Sequence, residues 1–269
     1  MDIATVVGLS LGIVALVGGF ILEGGAPLAL LNFPASVIVF GGTIGATLIT
    51  TPLGGFLKLP KIIAKAVFAK EENGGEIVST FVNLAERARR EGLLSLEQEA
   101  EGIRHPLLKK GVLLVVDGME PEVIQSILEA EMDSTHERHE HGFAIFETMG
   151  GFGPTMGIIG TVMGLINVLS HLSDPSELGS HIAGAFIATL YGVMFANVVC
   201  LPLAGKLKRR DAEEVALLAL VLAGILSIQA GDNPRVVRDK LEAYLPSDQR
   251  GQGEEGGGEP VRRAAQEAA

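Results

Sequence analysis

Two threonines, Thr161 and Thr189, sit near the middle of two uncharged apolar stretches of this 269-residue chain. A hydroxyl at such a position has two uses. It can bond back to the carbonyl four residues earlier in its own helix, or it can lend its oxygen to a ligand. A hard cation such as Na⁺ gives up water only in exchange for oxygen, whereas a proton needs only an acceptor. If the two stretches cross a membrane in opposite directions, the hydroxyls come to the same level and supply part of a Na⁺ shell. Neither stretch has Asp, Glu, Lys, Arg or His in its interior. An ion path ordinarily shows an ionisable residue within the membrane, so either no ion passes here or another polypeptide brings the carboxylate.

The surroundings of both threonines are unusually small. Gly153, Gly157, Gly160 and Gly164 lie along one face of the first stretch, and Gly184, Ala185, Ala188 and Gly192 surround Thr189 in the second. Small residues let a neighbouring backbone approach closely, so the glycine stripe reads either as a tight packing seam or as the wall of an ion path. Pro154 and Pro202 each remove one backbone N–H and free carbonyls near one end of their stretches.

Other candidate chemistry is weaker. His136, His139 and His141 alternate with Glu137 and Glu140, and His136 and Glu140 share a helical face. A transition-metal site needs three or four converging ligands and a second shell. This stretch is hydrophilic on all sides and reads as a solvated helix near the membrane. The one cysteine, Cys200, lies inside an apolar run, so there is no internal disulfide. No nucleophile–base pair, metal site or phosphate-binding loop is evident, which argues against an enzyme or a resident cofactor. The net charge of −11, with no base-reading motif, argues against a nucleic-acid partner.

The elements that must position these residues follow from the distribution of charge. Hydrophobic residues make up 48% of the chain, which also has 35 glycines and no tryptophan, the composition of an integral membrane protein with a soluble portion. All 21 Lys and Arg fall in two blocks, 58–138 and 206–263. The gaps hold four apolar runs, 3–22, 35–57, 148–170 and 182–205, each long enough to span a bilayer as a helix. The short loops within each pair carry no basic residue, so both face outward and both termini are cytoplasmic. The first run lacks the basic start of a signal peptide and leads directly into a second span. The class is therefore all-α, a polytopic membrane protein with a helical cytoplasmic domain. Its parts are spans one and two (1–57), a cytoplasmic domain (58–147), spans three and four (148–205), C-terminal cytoplasmic helices (206–246) and a Gly- and Glu-rich tail expected to be disordered (247–269).

Within the cytoplasmic portion, 58–70 is basic and amphipathic and is expected along the membrane surface. Periodicity predicts a helix over 75–91 with Ile77, Phe81, Leu84 and Ala88 on one face, stopped by Gly92. Ser95 has a capping-box spacing to Gln98. Further helices are predicted over 106–116 and from Pro121 onward into the third span. The uncharged run 215–230 is short for a span, and a fifth crossing would put Arg235, Arg238 and Lys240 outside. It is expected instead as a buried cytoplasmic helix, followed by a capped proline turn and one more helix. The first two spans have no ionisable interior residue and are expected on the lipid side.

With these residues in place, the chain resembles a known family over roughly 1–246. The segments ERARREGLLSLE, GPTMGIIGTVMGLINVL, IATLYGVMFAN, ANVVCLPLAGKL and GDNPRVVRDKLEAYL, in this order, resemble the A subunit of the bacterial flagellar stator, the MotA/PomA/MotP family. The resemblance implies a ring of A subunits, expected to be a pentamer, in the bacterial inner membrane. The ring surrounds B subunits of MotB/PomB type, whose transmembrane Asp supplies the missing carboxylate. It also implies that ion flow is coupled to force on the rotor protein FliG. Pro154 and Pro202 then match the family's coupling prolines, and Arg89, Arg90 and Glu97 its rotor-facing charges. Without the resemblance those charges read as a solvated helix end. Thr161 and Thr189 match positions resembling those of the sodium-driven PomA members, so Na⁺ is expected ahead of H⁺. Two other readings stay open: a TolQ/ExbB-type energy-transducing subunit, whose members generally have one helix before the cytoplasmic domain, and a passive membrane scaffold. The glycine stripe is expected to line the interior of the ring.

Overall fold

A computed structural model describes residues 3–68, 73–171, 175–247 and 249–250. They form helices joined by short turns, with no strand among the described residues. Four helices are long and apolar enough to cross a membrane. The chain divides into two compact units, one built from 1–70 and 137–211 and the other from 71–136 and 212–269.

In the first unit, α1 (Ile3–Leu22) buries no side chain, as befits a helix facing lipid. The next apolar run is not one helix. The helix α2 spans Phe33–Thr50, opened by Asn32, whose side chain accepts from the Ala35 N–H at 2.9 Å. It stops because Pro52 drives the preceding residue out of helical geometry: Thr51 is extended at φ −126°, ψ 131°, and Leu53–Phe56 is a separate turn. One face of α2 departs from the lipid-side expectation. Ala35 and Val39 are buried against Ile187, Ala188 and Tyr191, and Thr43 and Thr47 are also buried.

The helix α3 (Leu59–Phe68) turns Leu59 and Ile62 onto Ile145, Phe146 and Met149. The helices carrying the third and fourth spans run on well past their apolar segments. The third lies within α7 (Pro121–Ser170), which starts at the expected proline. The fourth lies in α8 (Pro175–Met194) and continues through a wide π-type turn, Phe195–Cys200, into α9 (Leu201–Gln229). That turn immediately precedes Pro202. A proline ring collides with the carbonyl four residues back, and a locally widened helix relieves the collision.

The second unit is a helical cluster with its own apolar core. It contains α4 (Gly74–Glu91), α5 (Leu96–Gly102), α6 (Pro106–Val116) and α10 (Pro234–Glu242), with the parts of α7 and α9 in 121–136 and 212–229. Ile77, Phe81 and Leu84 point inward as their spacing requires. Gly92 ends α4 at φ 86°, a left-handed value that suits glycine. The capping box expected at Ser95 does not form. Ser95 is helical at φ −65°, and its hydroxyl donates back to the Gly92 carbonyl at 2.7 Å; the glycine turn leaves it no extended conformation from which to cap α5.

The run 215–230 packs in this core as expected, with Val221 and Ile225 fully buried. It is a continuation of α9 rather than a new helix. Asn233 caps α10 by accepting from the Arg235 N–H at 3.1 Å. Lys240 Nζ, 2.5 Å from Asp232, and then the Ser227 hydroxyl hold the Asp232 carboxyl below its ordinary value. The tail lies outside the described residues, apart from 247, 249 and 250.

Candidate ion path and charged surface

The seam between α7 and α8 is built of small residues and the two threonines. Gly153, Gly157 and Gly160 are buried, as are Ala185, Ala188, Gly192 and Ala196. A Cβ added at Gly157 would lie 2.9 Å from the Ala188 carbonyl oxygen, and one at Gly164 would lie 2.6 Å from the Ala185 Cβ. Of the two readings of the glycine stripe, this chain shows the tight packing seam. The stripe is consumed in packing within one chain, because only glycine lets these two backbones come so close.

This close approach brings Thr161 and Thr189 together. Their hydroxyl oxygens are 2.5 Å apart. Thr161 Oγ1 is 3.1 Å from its own i−4 carbonyl at Gly157 and 2.9 Å from the Ala185 carbonyl across the seam. Thr189 Oγ1 reaches the Gly157 carbonyl at 3.4 Å. Both threonines are half-buried. Four oxygens thus converge: two hydroxyls and two carbonyls. Two hydroxyl hydrogens are shared among them, so the back-bonded arrangement and the cross-seam arrangement coexist.

Sequence reasoning placed the two hydroxyls and allowed for their i−4 carbonyls, Gly157 and Ala185, but not for the bond by which Thr161 reaches Ala185 across the seam. For further ligands it looked to carbonyls freed by Pro154. The carbonyl that Pro154 leaves without its helical donor is that of Gly150, eleven residues before Thr161 and, at ~1.5 Å per residue, about 16 Å along the helix. Pro154 is half-buried within α7 and Pro202 is exposed just after the wide turn.

The last turn of α8 is tied down by Tyr191. Its hydroxyl donates to the Leu30 carbonyl and accepts from the Asn32 N–H at 3.1 Å. Its ring stacks on Phe40 with centroids 5.9 Å apart. Beyond the wide turn, in α9, Lys208 pairs with Glu147 at 2.5 Å and lies over the Phe143 ring. His139 Nδ1 is 3.1 Å from Asp211, whose side chain is buried. This corrects the reading of the histidine stretch as hydrophilic on all sides. His139 faces α9, and the signal was its helical register with Phe143 and Phe146, both buried. Among the described residues no group of three His, Cys, Asp or Glu converges on one point.

Arg89 and Arg90 occupy the last turn of α4 and Glu97 the first turn of α5, and all three are exposed. Each sign suits its helix terminus. Arg90 faces Glu86 at 3.7 Å. Arg87, which the sequence did not single out, pairs with Glu91 at 3.2 Å and with Glu99, and so links α4 to α5. The structure also brings Arg235 and Arg238 of α10 beside Arg89 and Arg90, around an open groove of about 720 Å³ that Glu86 and Asp239 help to line.

Comparison with known proteins gives a consistent picture. The family model described as MotA/TolQ/ExbB proton channel family matches residues 99–219, and that described as Motility protein A N-terminal matches 6–92. The chain is 39% identical to motility protein A of Bacillus subtilis over 93% of each chain. It is 35% identical to chemotaxis protein PomA of Vibrio alginolyticus, covering 91% of this chain and 96% of that one. Among solved structures it is similar to the C. jejuni MotAB structure, with a TM-score of 0.88 and 30% identity over 94% of this chain and 100% of that one.

Proposed function

The chain belongs to the MotA/TolQ/ExbB proton channel family as a motility protein A stator subunit, and from that premise we propose that the ion it couples to torque is Na⁺. It is a channel subunit, not an enzyme. The observation that carries the choice of ion is the cluster of Thr161 and Thr189 hydroxyls with the Gly157 and Ala185 carbonyls. All four atoms are neutral oxygen donors, the kind a hard cation takes in exchange for water. A proton has no use for so many.

A cation held there needs a counter-charge, and neither apolar segment around these threonines contains one. A B subunit of MotB/PomB type, carrying an Asp in its single membrane helix, supplies it. Five copies of this chain around the B subunits, in the bacterial inner membrane with both termini cytoplasmic, give each Asp a succession of such clusters. The basic blocks at 58–138 and 206–263 support that orientation. Pro154 and Pro202 transmit the change: each interrupts the backbone ladder of a helix that forms the seam, and Pro202 follows a wide turn able to alter its geometry.

Motor speed is expected to rise with external Na⁺ at constant proton-motive force. Full-speed rotation in sodium-free medium would establish H⁺ as the ion and leave the hydroxyls as packing.

The rotor surface in this reading is the exposed group Arg89, Arg90 and Glu97, with FliG as its partner. Arg235 and Arg238 widen its positive area. Reversing Arg89 and Arg90 together to Glu is expected to reduce torque or stator recruitment several-fold while leaving subunit assembly and ion leak unchanged. Unimpaired motility of the double reversal at limiting stator levels overturns the assignment.

A further inference from the structure

Between the second span and α3 lies a short segment whose side chains neither the ion path nor the rotor surface uses. The uncharged run that carries the second span ends at Leu57, and Lys58 is the first basic residue of the chain. Helical turns lie on both sides of that boundary. The Leu57 N–H bonds the Leu53 carbonyl at 3.0 Å, and the Lys61 N–H bonds the Lys58 carbonyl at 3.0 Å. Each turn therefore brings its two residues to neighbouring positions on one side, the leucines first and the lysines next.

The opposite side of the segment is already occupied. Leu59 is buried and Ile62 half-buried against Ile145, Phe146 and Met149, and a Cβ at Gly55 would lie 3.8 Å from Ile145 Cδ1. The apolar stripe of α3 is thus spent on α7. Left open are Leu53, 64% exposed, Leu57, 69% exposed, and both lysines. Neither lysine has an ion pair among the described residues. Glu147, the carboxylate that follows Phe146, is held by Lys208.

We propose that Leu53, Leu57, Lys58 and Lys61 form a site selective for an anionic phospholipid of the surrounding bilayer. Its acyl chains lie on the leucines, and its headgroup phosphate meets the ammonium groups, whose flexible stems reach up from the apolar boundary. The surface is continuous with the lipid-facing side of the span above it, where Ile49 in the last turn of α2 is 87% exposed. A basic residue beside a membrane span gains about fivefold in affinity from an anionic lipid surface. A zwitterionic headgroup offers no such net charge. The site lies within the first compact unit and does not depend on which ion the chain carries.

The chain has no tryptophan, so a single introduced indole reports alone. Full-length Leu57→Trp would be reconstituted in phosphatidylcholine vesicles in which a fraction of the lipid, either phosphatidylglycerol or phosphatidylcholine, carries brominated acyl chains that quench on contact. The brominated phosphatidylglycerol is expected to reach the indole with at least fivefold higher relative affinity than the brominated phosphatidylcholine. Adding Lys58→Gln and Lys61→Gln should bring that ratio close to one. Leu53→Trp, one turn earlier, should repeat the preference, while Leu11→Trp, exposed on α1 far from any basic residue in sequence, should show none. Equal quenching of Leu57→Trp by the two lipids, or a preference that survives both Gln substitutions, overturns the proposal. So does an indole that neither lipid quenches, the result expected where a second copy of the chain covers this surface.

Discussion

Replacing Gly192 with alanine is expected to push the third and fourth membrane helices apart and to destabilise the protein by about 1–3 kcal/mol, the range for forcing an extra carbon into a packed interior. A Cβ at Gly192 would stand 2.3 Å from the Gly153 carbonyl oxygen and 3.1 Å from the Gly157 Cα. Both obstacles are backbone, so no side-chain rotation removes them. Gly45→Ala makes the matched control. It lies in α2 with nothing within 4 Å of its Cβ position, and alanine gains roughly 1 kcal/mol of helix propensity over glycine. Thermal unfolding of the two purified variants checks the contrast. Equal stability would mean that the seam is loose enough to absorb a methyl group, and the close approach of the two threonines would lose its structural basis.

Thr189→Ala is expected to have the opposite profile, with a small effect on stability and a large one on ion dependence. Thr161 keeps both carbonyl acceptors, Gly157 and Ala185, when its partner hydroxyl is removed. The fold then loses about 1 kcal/mol, the usual net value of one hydrogen bond. The cluster meanwhile loses one of its four oxygens. The Na⁺ concentration giving half-maximal motor speed is expected to rise at least about tenfold, equivalent to ~1.4 kcal/mol of binding. Thr189→Ser, which keeps the oxygen, should restore most of the dependence. An unchanged Na⁺ response in Thr189→Ala would reduce the hydroxyl pair to a packing contact.

Much of the architecture was legible because lipid and water impose simple rules. Uninterrupted apolar length gave α1 and the spans within α7 and α8. The proline that opens α10 and the glycine after α4 marked helix ends through backbone geometry that only those residues enforce. The chain's local signals failed where a neighbour intervened. Ser95 has the right spacing for a cap, but the left-handed Gly92 places it in a helical turn. His139 sits among charged residues, yet α9 brings Asp211 against it.

By itself, the sequence determined which residues carry the oxygens, that no carboxylate accompanies them in those two apolar segments, and where basic charge is confined. These are matters of composition and order, and no folding can alter them. Tertiary structure decided what the glycines are for and what the threonines touch. The stripe Gly153, Gly157, Gly160 and Gly164 has the same spacing whether it lines a channel or packs against a neighbour. Only the approach of α8, with Ala188 and Gly192 against the α7 backbone, fills it. That approach draws the Ala185 carbonyl to Thr161 across the seam. Helical periodicity specifies the face a residue occupies, but the distance to whatever lies opposite is set by the side chains of two helices at once.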